Sequence, residues 1–372
     1  MQKLLRRWWL SIDRVSAFVV VGLISIGAWV SIASTPAVAI KLGLSPFYFF
    51  KHHLIVMPIG VFIIIVVSLL QVRYIRRFAM IGYVICILFL LCVFIFGEEI
   101  KGARRWISLF GFSLQPSEFL KPTLVVITAW LISEQYTDRK FPGIVLSIIG
   151  ISIVIPLLLS QPDVGMAFII VTTWIAQLFV SGLSVFMIAV LACLAVASLF
   201  VLYITLPHFA ERIDEFLTGS GDTYQVQKSI EAFKNGGFLG KGPGEGVIKT
   251  LVPDAHSDFV FSVIGEEFGF ILCSIIIIAF IFFAIRSLIR VMNSSNMFNF
   301  TAIFGISFQL IMQVLINIAT SLNLIPTKGM TLPFISYGGS SFLATSISVG
   351  VLLAITRSSA MDYKYYEVNQ PH

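Results

Sequence analysis

Charge is scarce in this chain. Lys, Arg, Asp and Glu make up 12% of its 372 residues, against about 25% in soluble globular proteins. So little charge cannot cover a water-facing surface, which excludes a soluble fold of this size. Histidine and cysteine are sparse too, at five and four residues. Cys86, Cys92, Cys193 and Cys273 all stand inside apolar runs with no metal-like spacing and read as small core hydrophobes. The histidines are scattered, which argues against a His/Cys metal site. Also missing are the alternating segments of about 10 residues that mark a membrane barrel. No internal repeat or low-complexity segment is present.

What the chain has is apolar length. Hydrophobic residues make up 58% and the mean hydropathy is +0.95. The runs reach the roughly 17–25 residues needed to cross hydrocarbon as helix. Ten are read: Val15–Ser34, Leu54–Leu70, Phe78–Phe96, Pro116–Ile132, Gly143–Leu159, Val164–Val180, Leu183–Leu206, Phe259–Ile285, Met297–Leu322 and Tyr337–Ile355. The expected fold is therefore all-α, a single membrane domain over residues 1–372 with ten transmembrane helices. A large extracytoplasmic loop, about 207–257, joins the seventh and eighth. Within it Val226, Ile230 and Phe233 recur at helical spacing, which predicts an amphipathic interfacial helix over Tyr224–Lys234.

Ten spans put both termini on one side. Arg73, Arg76, Arg77, Arg139, Lys140, Arg286 and Arg290 hug span ends and assign that side to the cytoplasm. The net charge of +6 sits in short loops near lipid head groups and is no nucleic-acid signal. Ala37-Val38-Ala39 looks like a signal-cleavage site, but the run before it is too long for a signal peptide and reads as a retained span.

Charge inside a span is costly, so each instance needs a reason. Glu118 and Lys121 stand three apart on one helical face after Gln115-Pro116-Ser117. They form either an ion pair that anchors the helix start or part of a site. Asp163, in Gln161-Pro162-Asp163-Val164-Gly165, is placed to cap the next helix and is also a catalytic candidate. Asp258 stands where the long loop becomes helix, as an N-cap or as a base acting at the water–lipid boundary. Glu266 follows eight residues later, about 12 Å further along a helix. Together with Glu267 it demands basic partners or raised pKa values. The glycine-rich Gly240–Gly246 follows no strand, which excludes a dinucleotide loop and suggests a flexible turn re-entering the membrane surface. Gln309, Gln313 and Asn317 form a polar stripe that should face the bundle interior as interhelical glue.

Four motifs in order then carry a resemblance: Lys101-Gly102-Ala103-Arg104-Arg105-Trp106 with Gln115-Pro116-Ser117-Glu118-Phe119 and Lys121; Gln161-Pro162-Asp163-Val164-Gly165; His256-Ser257-Asp258-Phe259; and Pro326–Ser341. From about residue 14 to 357 the chain resembles the SEDS family of shape, elongation, division and sporulation proteins, and its last motif looks most like the division members. It departs from the pattern with Asp254 where many members have Glu and Ser257 where Thr is usual. The Gly244-Glu245-Gly246 segment lacks a serine that some members carry.

The resemblance implies a peptidoglycan glycosyltransferase that polymerises lipid II at the outer face of the bacterial cytoplasmic membrane, at the septum. The family's essential aspartate carries over to Asp258, the candidate general base of an inverting displacement. Arg105, Lys121 and Lys328, with Glu118, His256 and Ser257, are the substrate-binding candidates. Arg105 comes first, since its guanidinium fork suits phosphate oxygens. Gln161, Asp163, Glu266, Ser336 and Gly338 are motif positions. No organic cofactor is implied; a divalent cation, magnesium or manganese, is an alternative carrier of charge at the diphosphate. The implied partners are a class B penicillin-binding protein transpeptidase and other divisome membrane proteins. The rival readings are a lipid II transporter and a non-catalytic division scaffold.

Overall fold

The computed structural model describes residues 2–100, 103–109, 112–218, 223–292, 296–326 and 329–368. The elements, in order, begin with α1 (Gln2–Ser11), α2 (Arg14–Lys41), α3 (Tyr48–Leu69) and α4 (Val72–Phe96). Strands β1 (Glu98–Ile100), β2 (Ala103–Leu109) and β3 (Phe112–Leu114) follow. Next come α5 (Pro116–Thr137), α6 (Gly143–Ser160), α7 (Val164–Val180), α8 (Val185–Thr205), α9 (Pro207–Thr218) and α10 (Thr223–Gly236). Last are α11 (Val260–Met292), α12 (Met297–Ser321) and α13 (Gly339–Val368).

The dominance of helix follows from the solvent, since hydrocarbon satisfies no backbone N–H or C=O and a helix satisfies its own. Among the described residues, eight helices are long and apolar enough to cross a membrane. They make this a multi-pass membrane protein. The two other expected spans fall on α7, at 17 residues, and on α5, whose 22 residues carry Glu118, Lys121 and Glu134. Buried α12 and α13 form the middle of the bundle, whereas α8 buries none of its side chains. Gly60 on α3 lets α13 approach, because a methyl there would meet the Phe342 ring at 2.3 Å. At the opposite end from the long loop, Asp13 bonds Arg286 at 2.7 and 2.8 Å and Arg290 at 3.0 Å, fastening α2 to α11.

The first departure from expectation is the antiparallel meander β1-β2-β3 in the loop after α4. Its register pairs Glu99 with Arg104 and Ile107 with Leu114. Period two along β2 turns Ala103, Arg105 and Ile107 to one face. Ala103 and Ile107 are both buried, while Arg104, on the other face, is exposed.

The second departure lies in the eighth expected span. A continuous helix would carry Glu266 deep along its axis, but α11 breaks at Gly269, where φ is +72°. The groups the break frees are paired by the chain after α10. Phe270 N–H donates to Gly237 O at 3.0 Å, while Lys241 and Gly242 N–H donate to Glu266 and Glu267 O, both at 2.9 Å. The Glu266 carboxylate accepts from Ile248 and Lys249 N–H at 2.8 and 2.6 Å and from Asn235 at 2.8 Å. Glu267 pairs with Lys249 and accepts from Gly244 N–H at 3.1 Å. The glycine-rich segment is thus a fitted strap and not a flexible turn. A methyl on Gly269 would fall 2.4 Å from Gly240 N in a left-handed backbone. We expect Gly269→Ala to destabilise the protein by roughly 1–3 kcal/mol, read as a lower melting temperature in detergent.

Candidate active site

The turn that ends the long loop is gripped from its carbonyl side. Three successive carbonyls accept bonds from the region after and within α12. Tyr337 N–H donates to His256 O at 2.9 Å, Ser336 Oγ to Ser257 O at 2.6 Å, and Asn317 Nδ2 to Asp258 O at 2.9 Å. Buried Asn317 also donates to Met330 O at 2.6 Å, tying the same loop to α12. Ser336 Oγ accepts from Leu332 N–H at 2.7 Å. The His256 ring stacks on Phe49 at 5.0 Å between centroids. Phe334, with φ +62°, is a bulky residue in the left-handed region, a strain of about 1–3 kcal/mol that only surrounding structure can hold. Gly338 sits where a methyl would meet Thr331 at 3.1 Å. These contacts fix the backbone of Asp258, a half-buried residue.

That carboxylate stands beside Gly329, where an added methyl would lie 3.0 Å from Oδ2. Gly329 in turn lines a cavity of about 330 Å³. Its walls are largely apolar, with Phe168, Leu199, Ile316 and Met330 among them, and among the described residues the charged ones lining it are Arg105, Asp163 and Arg212. A concave, mostly apolar space with a few convergent polar groups is the usual form of a ligand site.

Arg105 reaches the cavity from the inward face of β2. Its Nε donates to Gln161 O at 3.0 Å, another nitrogen donates to Pro162 O, and Nη1 lies 3.8 Å from Asp163. Gln161 is itself tied to Leu90 O at 2.9 Å. Asp163 caps α7, accepting from Met166 N–H at 3.4 Å. Burial pushes the Asp163 carboxyl above its ordinary range, against the opposing pull of Arg105, Met166 and Ser117.

Glu118 and Lys121 adjoin this group through Asp163, on which the Glu118 charge acts, but they are engaged with each other. They form a buried pair at 2.6 Å in the bundle interior, where Lys121 also donates to Gln313 at 2.9 Å. Neither lines the cavity. Gln313 and Asn317 act as the polar glue expected of the α12 stripe. Glu266 belongs to the strap, and Ser257 Oγ donates to Asp254 O at 3.4 Å. Lys328 lies outside the described residues, as do Lys101 and Gly102. Among the described residues no three His, Cys, Asp or Glu side chains are grouped as metal ligands.

Sequence reasoning missed Arg212. It stands on α9 beside the apolar stripe of Phe209, Ile213 and Phe216, a helical spacing legible in the loop. Burial and the positive charge of Arg105 pull its guanidinium below the ordinary value; Glu215, Asp163 and Asp258 act the other way.

Residues 14–361 match the profile of a cell cycle protein family comprising FtsW, RodA and SpoVE. The chain belongs to that family. The match covers the whole of the SEDS resemblance and extends it slightly at the C-terminal end. A Caulobacter vibrioides protein named a probable peptidoglycan glycosyltransferase FtsW is 38% identical across 94% of this chain and 90% of that one. A protein of the same name from Trichlorobacter lovleyi is 36% identical across 92% of this chain and 93% of its own length. Among solved structures, a chain from a peptidoglycan synthase complex that coordinates polymerization and crosslinking superposes with a TM-score of 0.79. It is 26% identical, with 94% of this chain and 99% of that chain covered. The rod shape determining protein RodA of Thermus thermophilus gives a TM-score of 0.69 at 25% identity, covering 94% and 98%. Members of this family share the polytopic helical fold described above.

Proposed function

We propose that this protein is a peptidoglycan glycosyltransferase that polymerises lipid II into β-1,4 glycan strands at the outer face of the bacterial cytoplasmic membrane. The observation that carries the reading is Asp258, held by its backbone at the edge of an apolar cavity whose wall bears guanidinium groups. That combination suits a substrate with a polyprenyl tail, a diphosphate and a sugar. The names of the relatives support the same activity.

In the reaction, the acceptor sugar's 4-hydroxyl attacks the anomeric carbon of the donor. Its proton passes to the Asp258 carboxylate as the new C–O bond forms, and the bond to the diphosphate breaks on the opposite face. One displacement inverts an α-linked donor to a β-linked product. The departing diphosphate needs charge stabilisation more than a proton, so one carboxylate suffices where a glycosidase uses two. Arg105, anchored by the Gln161–Pro162 carbonyls, supplies positive charge on a fixed frame.

The relatives' naming supports a septal role, with both termini cytoplasmic as the span-end basic residues assign. The partner of this reading is a class B penicillin-binding protein transpeptidase. The test is polymerisation of fluorescent lipid II by the purified chain with that partner. Long glycan chains are expected; lipid II transfer across liposomes without polymer would establish the transporter reading instead. Adding EDTA to the same assay reads out any contribution of magnesium or manganese.

A further inference from the structure

We propose that Arg212, on α9, is the second arm of an anion grip that closes with Arg105 on the diphosphate of the lipid-linked donor. This rests on the glycosyltransferase reading and names the residue that holds the leaving group.

The cavity has two unlike sides. Arg105 and Asp163 come from the β2 strand and the α6–α7 turn, while Leu199, Leu206, Phe209, Arg212 and Ile213 come from α8 and α9. Arg105 is already fastened by two bonds to main-chain carbonyls. Arg212 is not fastened in that way. Glu215, Asp163 and Asp258 act on it as charges through space, without a hydrogen bond. Two guanidinium groups therefore face one largely apolar cavity and repel each other. Like charges in such surroundings are unfavourable until an anion comes between them.

The anion must offer oxygens to two guanidinium forks that come from different sides of the cavity, and it must tolerate apolar walls. A diphosphate carrying a polyprenyl chain meets both conditions. Each guanidinium offers paired donors that match phosphate oxygens, and the apolar side chains pack on the first isoprene units. The carboxylates close by do not cancel the site. Asp163 is engaged by Arg105 and by the helix it caps. Asp258 stands at the Gly329 edge, where the proposed chemistry needs a base.

The test uses the full chain in nanodiscs of zwitterionic lipid, with geranylgeranyl diphosphate as the probe and geranylgeranyl monophosphate and phosphatidylglycerol as competitors. Arg212→Ala should weaken diphosphate binding about 10- to 100-fold and raise KM for lipid II in the polymerisation assay. Arg212→Lys, which keeps the charge and loses the fork, should fall between. An unchanged melting temperature shows that the variants are folded. Should Arg212→Ala not fold, Arg212→Lys and Arg212→Gln carry the comparison.

Equal diphosphate affinity in wild type and folded variants would overturn the proposal. So would phosphatidylglycerol competing as well as the diphosphate, since the site would then hold bulk anionic lipid. If wild type makes no polymer yet binds the diphosphate through Arg212, the grip stands and the glycosyltransferase reading falls.

Discussion

Asp258→Asn is expected to reduce lipid II polymerisation by about 10²–10⁴-fold, the usual contribution of a positioned general base. The fold and substrate affinity should survive. Asparagine has nearly the shape of aspartate but cannot take the acceptor's proton. Three bonds that grip this turn from α12 and the loop after it are made to main-chain carbonyls, at His256, Ser257 and Asp258. The substitution removes none of them. The loss should thus appear in kcat, with KM and the melting temperature close to wild type. Polymer at the wild-type rate from the variant would remove Asp258 from the chemistry. A raised KM with unchanged kcat would make it a binding group. Asp258→Glu lengthens the side chain beside Gly329, where a methyl would already stand 3.0 Å from Oδ2, and should rescue little.

What the sequence shows of this molecule depends on how local each signal is. The apolar runs were legible because hydrocarbon imposes one requirement on every residue of a span. The helix over 223–236 was legible from Val226, Ile230 and Phe233 alone. The capping role of Asp163 and the pairing of Glu118 with Lys121 followed from spacing of three residues, and the structure shows both contacts. The break at Gly269 was not legible in the same way. Its free backbone groups are paired by Gly237, Phe238 and their neighbours about thirty residues earlier. A glycine in a helical run is ordinary until that strap is in view. The meander after α4 was hidden by strands of three, seven and three residues, too short for a pattern of alternation to stand out.

The site divides along the same line. Asp258 and Arg105 were found through motifs. Arg212 was hidden because a single arginine in an amphipathic helix reads as a solvated face, and only the packing of α9 against the cavity shows otherwise. For Lys121 the sequence leaves open both an ion pair with Glu118 and a substrate role. Its pairing with Glu118 was visible, but not that Gln313, 192 residues away, completes its coordination.

That arrangement makes Lys121→Met the substitution with the largest expected effect on stability. The pair is almost wholly buried, with side-chain exposures of 4% and 9%. Removing one partner leaves a carboxylate uncompensated in the bundle, a loss of about 3–5 kcal/mol in comparable cases. It also deprives Gln313 of its donor. Gln313 Nε2 donates to Thr331 O at 3.0 Å, in the loop whose Ser336 and Tyr337 grip the Asp258 turn. Strain at α5 would therefore reach the candidate base through α12. The double variant Glu118→Gln, Lys121→Met removes both charges together and should recover much of the melting temperature lost by the single one, with part of the polymerisation activity returning. If the single variant melts like wild type and loses only activity, Lys121 serves the substrate after all. The pair's architectural role predicts that stability and activity fall together and return together.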